Sequence, residues 1–167
     1  MNTYEIIIGL FAFFIALPVF FMGAPFLPSY RKKNKINFQN LFEFLKKEGA
    51  RKFIDLGSGD GRVVMDFARA GFESYGVEIN PLLVWWSKLK IRKLGLKNAE
   101  IKWGNLWKTG LAKFDIIFIF HFKTANSFLV KKFKRELKGN TIIISTGFPL
   151  VGLELIKKEG PFLVYRV

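Results

Sequence analysis

Two parts of the chain, a glycine-rich stretch with acidic residues and a single acid after it, form a pattern that can bind a small ligand. The second is a single acid, Glu78, and the first is a glycine-rich run whose residues of interest are Asp55, Gly57, Ser58, Gly59, Asp60 and Gly61. Glycines at such a turn let the chain bend sharply and let backbone amides approach a ligand closely. The dinucleotide fingerprint G-x-G-x-x-G does not fit, because the third glycine comes one residue too early and Arg62 takes its place.

The two acids indicate the kind of ligand. A carboxylate at Asp55 would repel a pyrophosphate, whereas it suits a positively charged group such as the amino group of S-adenosylmethionine. Glu78 follows at the end of the next predicted strand, where a carboxylate can accept hydrogen bonds from both ribose hydroxyls. The pattern therefore predicts S-adenosyl-L-methionine as the cofactor.

The elements that must position these residues alternate between strands and helices. Alternation of this kind predicts an α/β fold, here the Rossmann-like class I methyltransferase sheet, mostly parallel with an antiparallel C-terminal hairpin. The uninterrupted apolar run IIFIF is typical of a strand buried on both faces. The predicted strands are 52–56, 74–79, 99–103, 114–120 and 141–146, the helices are 37–48, 62–70, 81–94 and 127–137, and the hairpin lies around Gly160-Pro161.

Further site residues follow the third and fourth strands. In class I methyltransferases an acid or amide after the third strand contacts the adenine, and Asn105 stands there in this chain. Ile79 and Leu106 are candidates for enclosing the adenine ring, with a place in the core as the alternative. His121 follows the fourth strand, where an open α/β sheet places its ligands. It is either a catalytic base or part of the acceptor channel, or it simply hydrogen-bonds a neighbouring carbonyl.

Composition excludes several other kinds of site. The 167 residues include no cysteine and one histidine, so we expect no disulfide framework and no metal site. The lone histidine also argues against a Ser-His-Asp triad. The formal net charge of +14 favours anionic surroundings, such as acidic lipid headgroups or nucleic acid.

The N-terminal segment 6–27 carries no charged side chain and is long enough to cross a bilayer as a helix, which needs about 20 apolar residues. Arg31, Lys32, Lys33 and Lys35 follow it, whereas a cleaved signal peptide would have its basic residues before the apolar run. We therefore predict one transmembrane helix within 1–30, and a methyltransferase domain over 31–167 on the cytoplasmic side. An interfacial hairpin broken at Pro18 is the alternative.

Five stretches resemble the membrane-anchored protein-lysine methyltransferases, the family that includes the mitochondrial enzymes for the ATP synthase c-subunit and the ADP/ATP translocase. The resemblance implies N-methylation of lysine in a membrane protein. It also implies cofactor binding by the acids and glycines of the two stretches above, with Asn105 where the family usually has Asp. The matching stretches are PFLPS (25–29), DLGSGDGRVV (55–64), GFESYGVEINPLLVWWSK (71–88), NLWK (105–108) and Phe148-Pro149.

This chain departs from the eukaryotic members of that family after the fourth strand, where His121-Phe122-Lys123-Thr124 replaces a Gly and a Pro, and in its abbreviated tail. Two other functions remain as alternatives. One is an RNA or small-molecule (lipid or quinone) methyltransferase, although HFKT does not match the N/D-P-P-Y/F stretch common in nucleic-acid amine methylases, so nucleic acid is the less favoured partner. The other is a non-catalytic cofactor-binding module at the membrane.

Overall fold

The computed structural model describes residues 2, 4–9, 38–120 and 123–167. The chain divides into two compact units, Met1–Lys35 and Ile36–Val167. Residues 4–9 of the first unit are helical, and most of the predicted transmembrane segment 6–27 lies outside the described residues. Within the described ranges, no helix combines the length and apolar character needed to span a bilayer. The transmembrane helix therefore stays a prediction.

The second unit is built on one seven-stranded sheet with the strand order β3-β2-β1-β4-β5-β7-β6. The first five strands pair in parallel, and β7 pairs antiparallel with both β5 and β6. The predicted mostly parallel sheet with an antiparallel C-terminal hairpin is thus confirmed. The strands are β1 Lys52–Leu56, β2 Glu73–Glu78, β3 Ala99–Trp103, β4 Ile116–Phe120, β5 Ile142–Thr146, β6 Glu154–Glu159 and β7 Phe162–Arg166.

Helices cover both faces of this sheet. The described helices of the unit are α1 Gln39–Lys47, α2 Arg62–Arg69, α3 Pro81–Lys93 and α4 Asn126–Glu136, with a short 3-10 turn at Lys123–Ala125. On one face, α2 packs on β1 and β2 while α3 packs on β2 and β3. On the other, Leu129 and Phe133 of α4 join the buried cluster around Ile54 and Ile117.

Aromatic rings make up much of the core beneath α1 and α2. Phe53 of β1 stacks on Phe67 of α2 with ring centroids 3.7 Å apart, and Phe42 of α1 meets Phe67 edge-on at 4.9 Å. Phe38, directly before α1, lies 5.0 Å from Phe162 at the start of β7. Because β7 is antiparallel, its start lies at the carboxyl edge of the parallel strands.

One strand begins two residues later than predicted. The predicted strand 114–120 begins at Ile116, because the two residues before it serve as a turn and a cap. The amide of Phe114 donates to the carbonyl of Leu111, and the carboxylate of Asp115 accepts the backbone amides of Arg51 and Lys52 at 2.9 and 2.8 Å. Asp115 thereby fixes where β1 starts relative to β4.

Candidate functional site

The glycine-rich loop leaves β1 at Leu56 and enters α2 at Arg62. Gly57, Gly59 and Gly61 all adopt left-handed backbone conformations, with φ of 87°, 54° and 75°. A Cβ added at Gly57 or Gly59 would meet nothing within 4 Å, whereas one at Gly61 would lie 2.5 Å from Cδ1 of Ile101. The first two glycines therefore leave space beside the carboxyl edge, and the third allows close packing against β3.

Glu78 joins this loop to the end of β2. Its Oε2 accepts the amide of Gly59 at 2.8 Å, and its Oε1 accepts the amide of Asn80 at 2.9 Å. Each oxygen still has lone-pair capacity for a second donor. The side chain is buried and held in one orientation. Glu78 can therefore present two fixed acceptor oxygens to a pair of adjacent hydroxyls.

Asp55 is the most deeply buried acid of the site, with 4% of its surface exposed. Burial, followed by the negative charges of Glu78 and Asp60, raises the pKa of its carboxyl from 3.8 to about 8. An ionised Asp55 is therefore costly here unless a positive charge lies next to it. An ammonium group of a ligand would supply that charge and stabilise the ionised carboxylate.

Asp60 differs from Asp55, because its carboxylate already has cationic partners. It receives two hydrogen bonds of 2.7 Å from Arg62 and one of 2.9 Å from Nζ of Lys90. Burial alone would raise the pKa of Asp60, but the bonds from Arg62 and Lys90 outweigh burial and lower it to about 2. The side chain of the predicted cofactor-binding residue Asp60 thus ties the loop to α2 and α3.

Ser58, also predicted as a cofactor-binding residue, has its side chain directed at β2. A Cβ at Gly76 would lie 2.7 Å from the hydroxyl of Ser58, so the absence of a side chain at Gly76 makes room for it. That hydroxyl is buried and has no hydrogen-bond partner among the described residues. Any contribution of Ser58 to a ligand at the carboxyl edge comes from its backbone.

Three supporting residues were not identified from the sequence. Asn80 caps α3 by accepting the amide of Leu82 at 2.9 Å, and Ser87 of α3 donates to the carbonyl of Gly59 at 3.2 Å. The third is Lys90, which binds Asp60. The Asn-Pro pair at 80–81 is a helix-start signal, so the capping role of Asn80 could have been predicted from the sequence. No pattern links Ser87 or Lys90 to a loop about 30 residues earlier.

The residues predicted to contact adenine lie around the end of β3. The side-chain oxygen of Asn105 accepts the amide of Trp107 at 2.9 Å, which fixes the turn that follows. Ile79 is exposed, and its carbonyl accepts the indole N–H of Trp103 at 2.9 Å. Leu106 packs instead against the core cluster beneath the sheet. Of the two candidates for enclosing the ring, Ile79 has the exposed side chain.

His121 lies outside the described residues, between Phe120 at the end of β4 and Lys123. Its predicted role stays a prediction. Among the described ranges, no group of three or more acidic or histidine side chains is arranged to hold a metal ion.

A glycine loop with open space beside it, a buried acid suited to a cation and a rigid two-oxygen acceptor therefore come together at one edge of the sheet. This arrangement can bind a molecule that carries both an ammonium group and a ribose. It fits the chemical groups of the predicted S-adenosylmethionine.

Comparison with known proteins points the same way. A family model described as the ANTKMT methyltransferase domain matches residues 55–157, which is more than half of the chain. The chain is 33% identical over 127 residues to the ATP synthase c-subunit lysine N-methyltransferase of Homo sapiens, covering 75% of this chain and 52% of that protein. It is 28% identical over 141 residues to a protein-lysine N-methyltransferase of Saccharolobus islandicus (strain REY15A), covering 81% and 85%.

The fold also matches solved structures. An RNA methyltransferase from Salinibacter ruber, in complex with S-adenosyl-L-homocysteine, superposes with a TM-score of 0.65 at 23% identity over 78% of this chain and 91% of that one. This likeness establishes the methyltransferase fold. The chain spans about half the length of the animal relatives it matches.

Proposed function

We propose, from the premise that the chain belongs to the family of the ANTKMT methyltransferase domain, that it is an S-adenosylmethionine-dependent protein-lysine N-methyltransferase. The observation that carries the proposal is the pairing of Asp55 with Glu78 on either side of an open glycine loop. The ionised form of Asp55 is unfavourable in the isolated protein, because burial raises its pKa to about 8. A cationic ligand would stabilise that ionised form, as is typical of functional sites.

The chain's own residues supply the binding groups. When bound, S-adenosylmethionine would supply a methyl group for in-line transfer from its sulfonium to a nucleophile, with S-adenosylhomocysteine as the leaving group and no need for a metal. Asp55 pairs with the amino group, and Glu78, oriented by two backbone amides, accepts the ribose hydroxyls. Because the oxygen of Asn105 is engaged by Trp107, the amide nitrogen of Asn105 is the group offered to the adenine. The exposed side chain of Ile79 then covers the ring.

A lysine acceptor must lose a proton before it can attack. With a reference pKa of ~10.4, its neutral form is disfavoured at pH 7 by about 4.6 kcal/mol. We assign His121 the role of general base, because it directly follows β4, whose end lies at the same edge as Asp55. Replacing His121 with Gln should reduce methyl transfer and alter its pH profile without weakening cofactor binding. Unchanged transfer would show that His121 has no catalytic role.

The proposed acceptor is a lysine in a membrane protein. Relatives named for the ATP synthase c-subunit and for adenine nucleotide translocase support this, since both names denote membrane proteins. Exposed aromatic side chains of this chain, Phe120 at the end of β4 and Phe148 after β5, also support it. They give the proposed acceptor side of the carboxyl edge an apolar surface, which suits a substrate presented at a bilayer.

We further propose that segment 1–30 anchors the protein as a single-pass helix, with the methyltransferase domain on the cytoplasmic side. The uncharged run 6–27 and the basic residues from Arg31 to Lys35 support this orientation. The positive charge of the remaining chain would add attraction to anionic lipid, at about 1 kcal/mol per basic residue near the surface.

Calorimetric titration of S-adenosylmethionine into the detergent-solubilised protein tests the cofactor assignment. We expect micromolar binding that is lost in Asp55→Asn and Glu78→Gln and retained in Glu100→Gln, which alters an exposed acid of β3. Absence of binding by the folded wild type would overturn the methyltransferase proposal.

Transfer of a labelled methyl group tests the acceptor. Membrane fractions, RNA and lipid extracts are each incubated with the protein and the labelled cofactor. Methyl-lysine in a membrane protein is the expected product. Label confined to RNA or to a small molecule would retain the reaction class and overturn the proposed substrate.

A further inference from the structure

The outer face of α3 is apolar where a surface helix is normally polar. Its exposed side chains follow the spacing i, i+3, i+4 and i+7, so they form one continuous stripe along the helix. The opposite side of α3 is buried against the sheet through Val84, Ser87 and Ile91. The stripe consists of Leu82, Trp85, Trp86 and Leu89, which are 54%, 60%, 50% and 42% exposed.

The apolar surface extends beyond the helix toward the carboxyl edge. Trp103 at the end of β3 is 70% exposed. Its indole N–H donates to the carbonyl of Ile79, which holds the ring beside the start of α3. Exposed patches of this kind mark interaction surfaces rather than ordinary solvent-facing helices.

The charges on α3 indicate what the stripe meets. The helix sequence PLLVWWSKLKIRK contains four basic residues and no acid. Lys88, Arg92 and Lys93 are exposed, while Lys90 lies 5.5 Å from the ring centroid of Trp86 and also binds Asp60. An apolar face with tryptophans, flanked by Lys and Arg, is typical of a helix lying in the interface of an anionic membrane.

We propose that the outer face of α3 docks on the surface of an anionic bilayer, with the stripe at the level of the lipid headgroups and the basic residues against lipid phosphates. A second copy of the chain fits this face poorly, because it would bring two wholly basic helices together. The proposal deepens the membrane placement proposed above. It gives the methyltransferase domain a membrane contact of its own, beyond the N-terminal segment.

This contact orients the site. α3 begins at Pro81, three residues after Glu78, and Lys90 connects the stripe to the glycine loop through Asp60. Docking of α3 would therefore hold the cofactor-binding edge at a fixed distance from the lipid. A lysine of a membrane protein could then reach the site at a defined height relative to the bilayer surface.

The absence of cysteine from the chain makes a site-specific test direct. Leu89→Cys places a single thiol in the stripe, and Leu155→Cys places one on β6 at a comparably exposed position. Each full-length variant is labelled with an environment-sensitive NBD fluorophore and reconstituted into nanodiscs of phosphatidylcholine, with or without phosphatidylglycerol. Doxyl-labelled lipid then serves as a quencher carried by the bilayer.

We expect lipid-borne quenching at position 89 to exceed that at position 155 by roughly threefold in anionic nanodiscs. The excess should fall in zwitterionic nanodiscs and in the variant Lys88→Gln/Arg92→Gln/Lys93→Gln, which leaves Lys90 in place. Equal quenching at the two positions would overturn the proposal. So would equal quenching in both lipids, or a blue-shifted fluorophore that lipid does not quench, which would mean that protein covers the stripe.

Two further measurements on the same samples separate this proposal from the others. Co-elution of protein with the nanodiscs reports on the N-terminal segment, and calorimetric cofactor binding reports on the methyltransferase site. A protein that binds cofactor and co-elutes, yet shows no excess quenching at position 89, contradicts only the docking of α3.

Discussion

The two halves of the sheet's carboxyl edge are built in different ways. In the cofactor half, which comprises β1 to β3 with α2, α3 and their loops, charged and polar side chains connect elements distant in sequence. Glu78 binds the backbone of Gly59, and Asp60 binds Lys90. In the acceptor half, which comprises the ends of β4 and β5 with the segments that follow them, the side-chain bonds are to backbone groups, both distant, as from Asn126 to the carbonyl of Pro149, and local. Ser145, for example, donates to the carbonyl of Phe148 at 3.0 Å.

The exposed chemistry of the two halves differs as well. The cofactor half contains the buried acids Asp55 and Glu78, whereas the described residues of the acceptor half expose Phe120, Phe128 and Phe148. A segment of turns, 147–153, joins β5 to β6 without a helix. The difference teaches that one half is held by a rigid network of polar side chains. The other offers an apolar surface with little to specify a small molecule.

The largest expected effect comes from Asp55, whose ionised carboxylate is destabilised by burial in the cofactor half. Since burial raises its pKa from 3.8 to about 8, the folded state binds more protons than the unfolded state between those values. Wild-type stability should therefore decrease as pH rises from about 4 to about 8. Asp55→Asn removes this titration.

Asp55→Asn should thus be more stable than the wild type at pH 8, by an amount on the order of a few kcal/mol, and nearly equal to it at pH 4. Cofactor binding should be lost at the same time. Urea unfolding at several pH values, with calorimetry at pH 7, measures both effects. A stability difference that does not depend on pH would show that Asp55 is not strained in the folded protein.

Matched glycines in the two halves test the rigidity of each. Gly61 and Gly152 both have left-handed backbones, with φ of 75° and 99°. A Cβ at Gly61 would lie 2.5 Å from Ile101, whereas one at Gly152 would approach Val130 only to an ordinary 3.8 Å.

Replacing either glycine with alanine should cost about 1–2 kcal/mol for the backbone conformation. Gly61→Ala should cost about 1–3 kcal/mol more, because it overpacks the contact with β3. Adding Ile101→Val, which removes the clashing Cδ1, should recover part of this extra cost. Denaturant unfolding measures all three variants. Equal destabilisation at the two glycines would show that the cofactor half is no more tightly packed there.

Lys132 tests whether the support of the cofactor half reaches across the sheet. It lies on α4, is almost fully buried, and donates to the carbonyls of Thr109 and Trp107 at 2.8 and 3.2 Å. It also pairs with Glu136. Lys132 thus fixes the turn that follows Asn105, although α4 comes after β4 in the chain.

Lys132→Met should lower the unfolding free energy by about 1–3 kcal/mol, because it leaves two carbonyls without their donor and leaves Glu136 with Arg135 as its remaining cationic partner. It should also weaken cofactor binding several-fold by loosening the turn that holds Asn105. Lys134→Met, at an exposed position of the same helix, is the control. Weaker folding with unchanged cofactor affinity would limit Lys132 to a structural role.

The cofactor half was also the part of the molecule most open to prediction. Its strands β1 and β3 occur where the residue pattern places them, because apolar runs bounded by turn residues identify strands well. The acids and glycines of the loop are local signals, and the structure brings them together. Asn80, Ser87 and Lys90 were missed because their bonds depend on how α3 packs against the loop, which no local pattern encodes.

Less of the acceptor half could be predicted from the sequence. Phe120, Phe128 and Phe148 belong to segments that a sequence assigns equally well to the core or to the surface. Their exposure depends on how α4 and the connections after β4 and β5 pack, which no local pattern encodes. The predicted start of β4 was wrong because Asp115 accepts hydrogen bonds from the backbone at the start of the neighbouring strand β1, instead of extending its own strand.

The smallest expected effect on cofactor binding comes from the acceptor half itself. Phe148 is exposed after β5, and its carbonyl, not its ring, accepts the bond from Ser145. Phe148→Ala should therefore leave the fold and the cofactor affinity unchanged. It should raise the KM for the membrane-protein acceptor, because burial of an aromatic ring against the substrate is lost. Calorimetry and labelled-methyl transfer measure the two quantities separately. Weakened cofactor binding in this variant would show that the two halves of the edge act as one site, and the division between them would then fail.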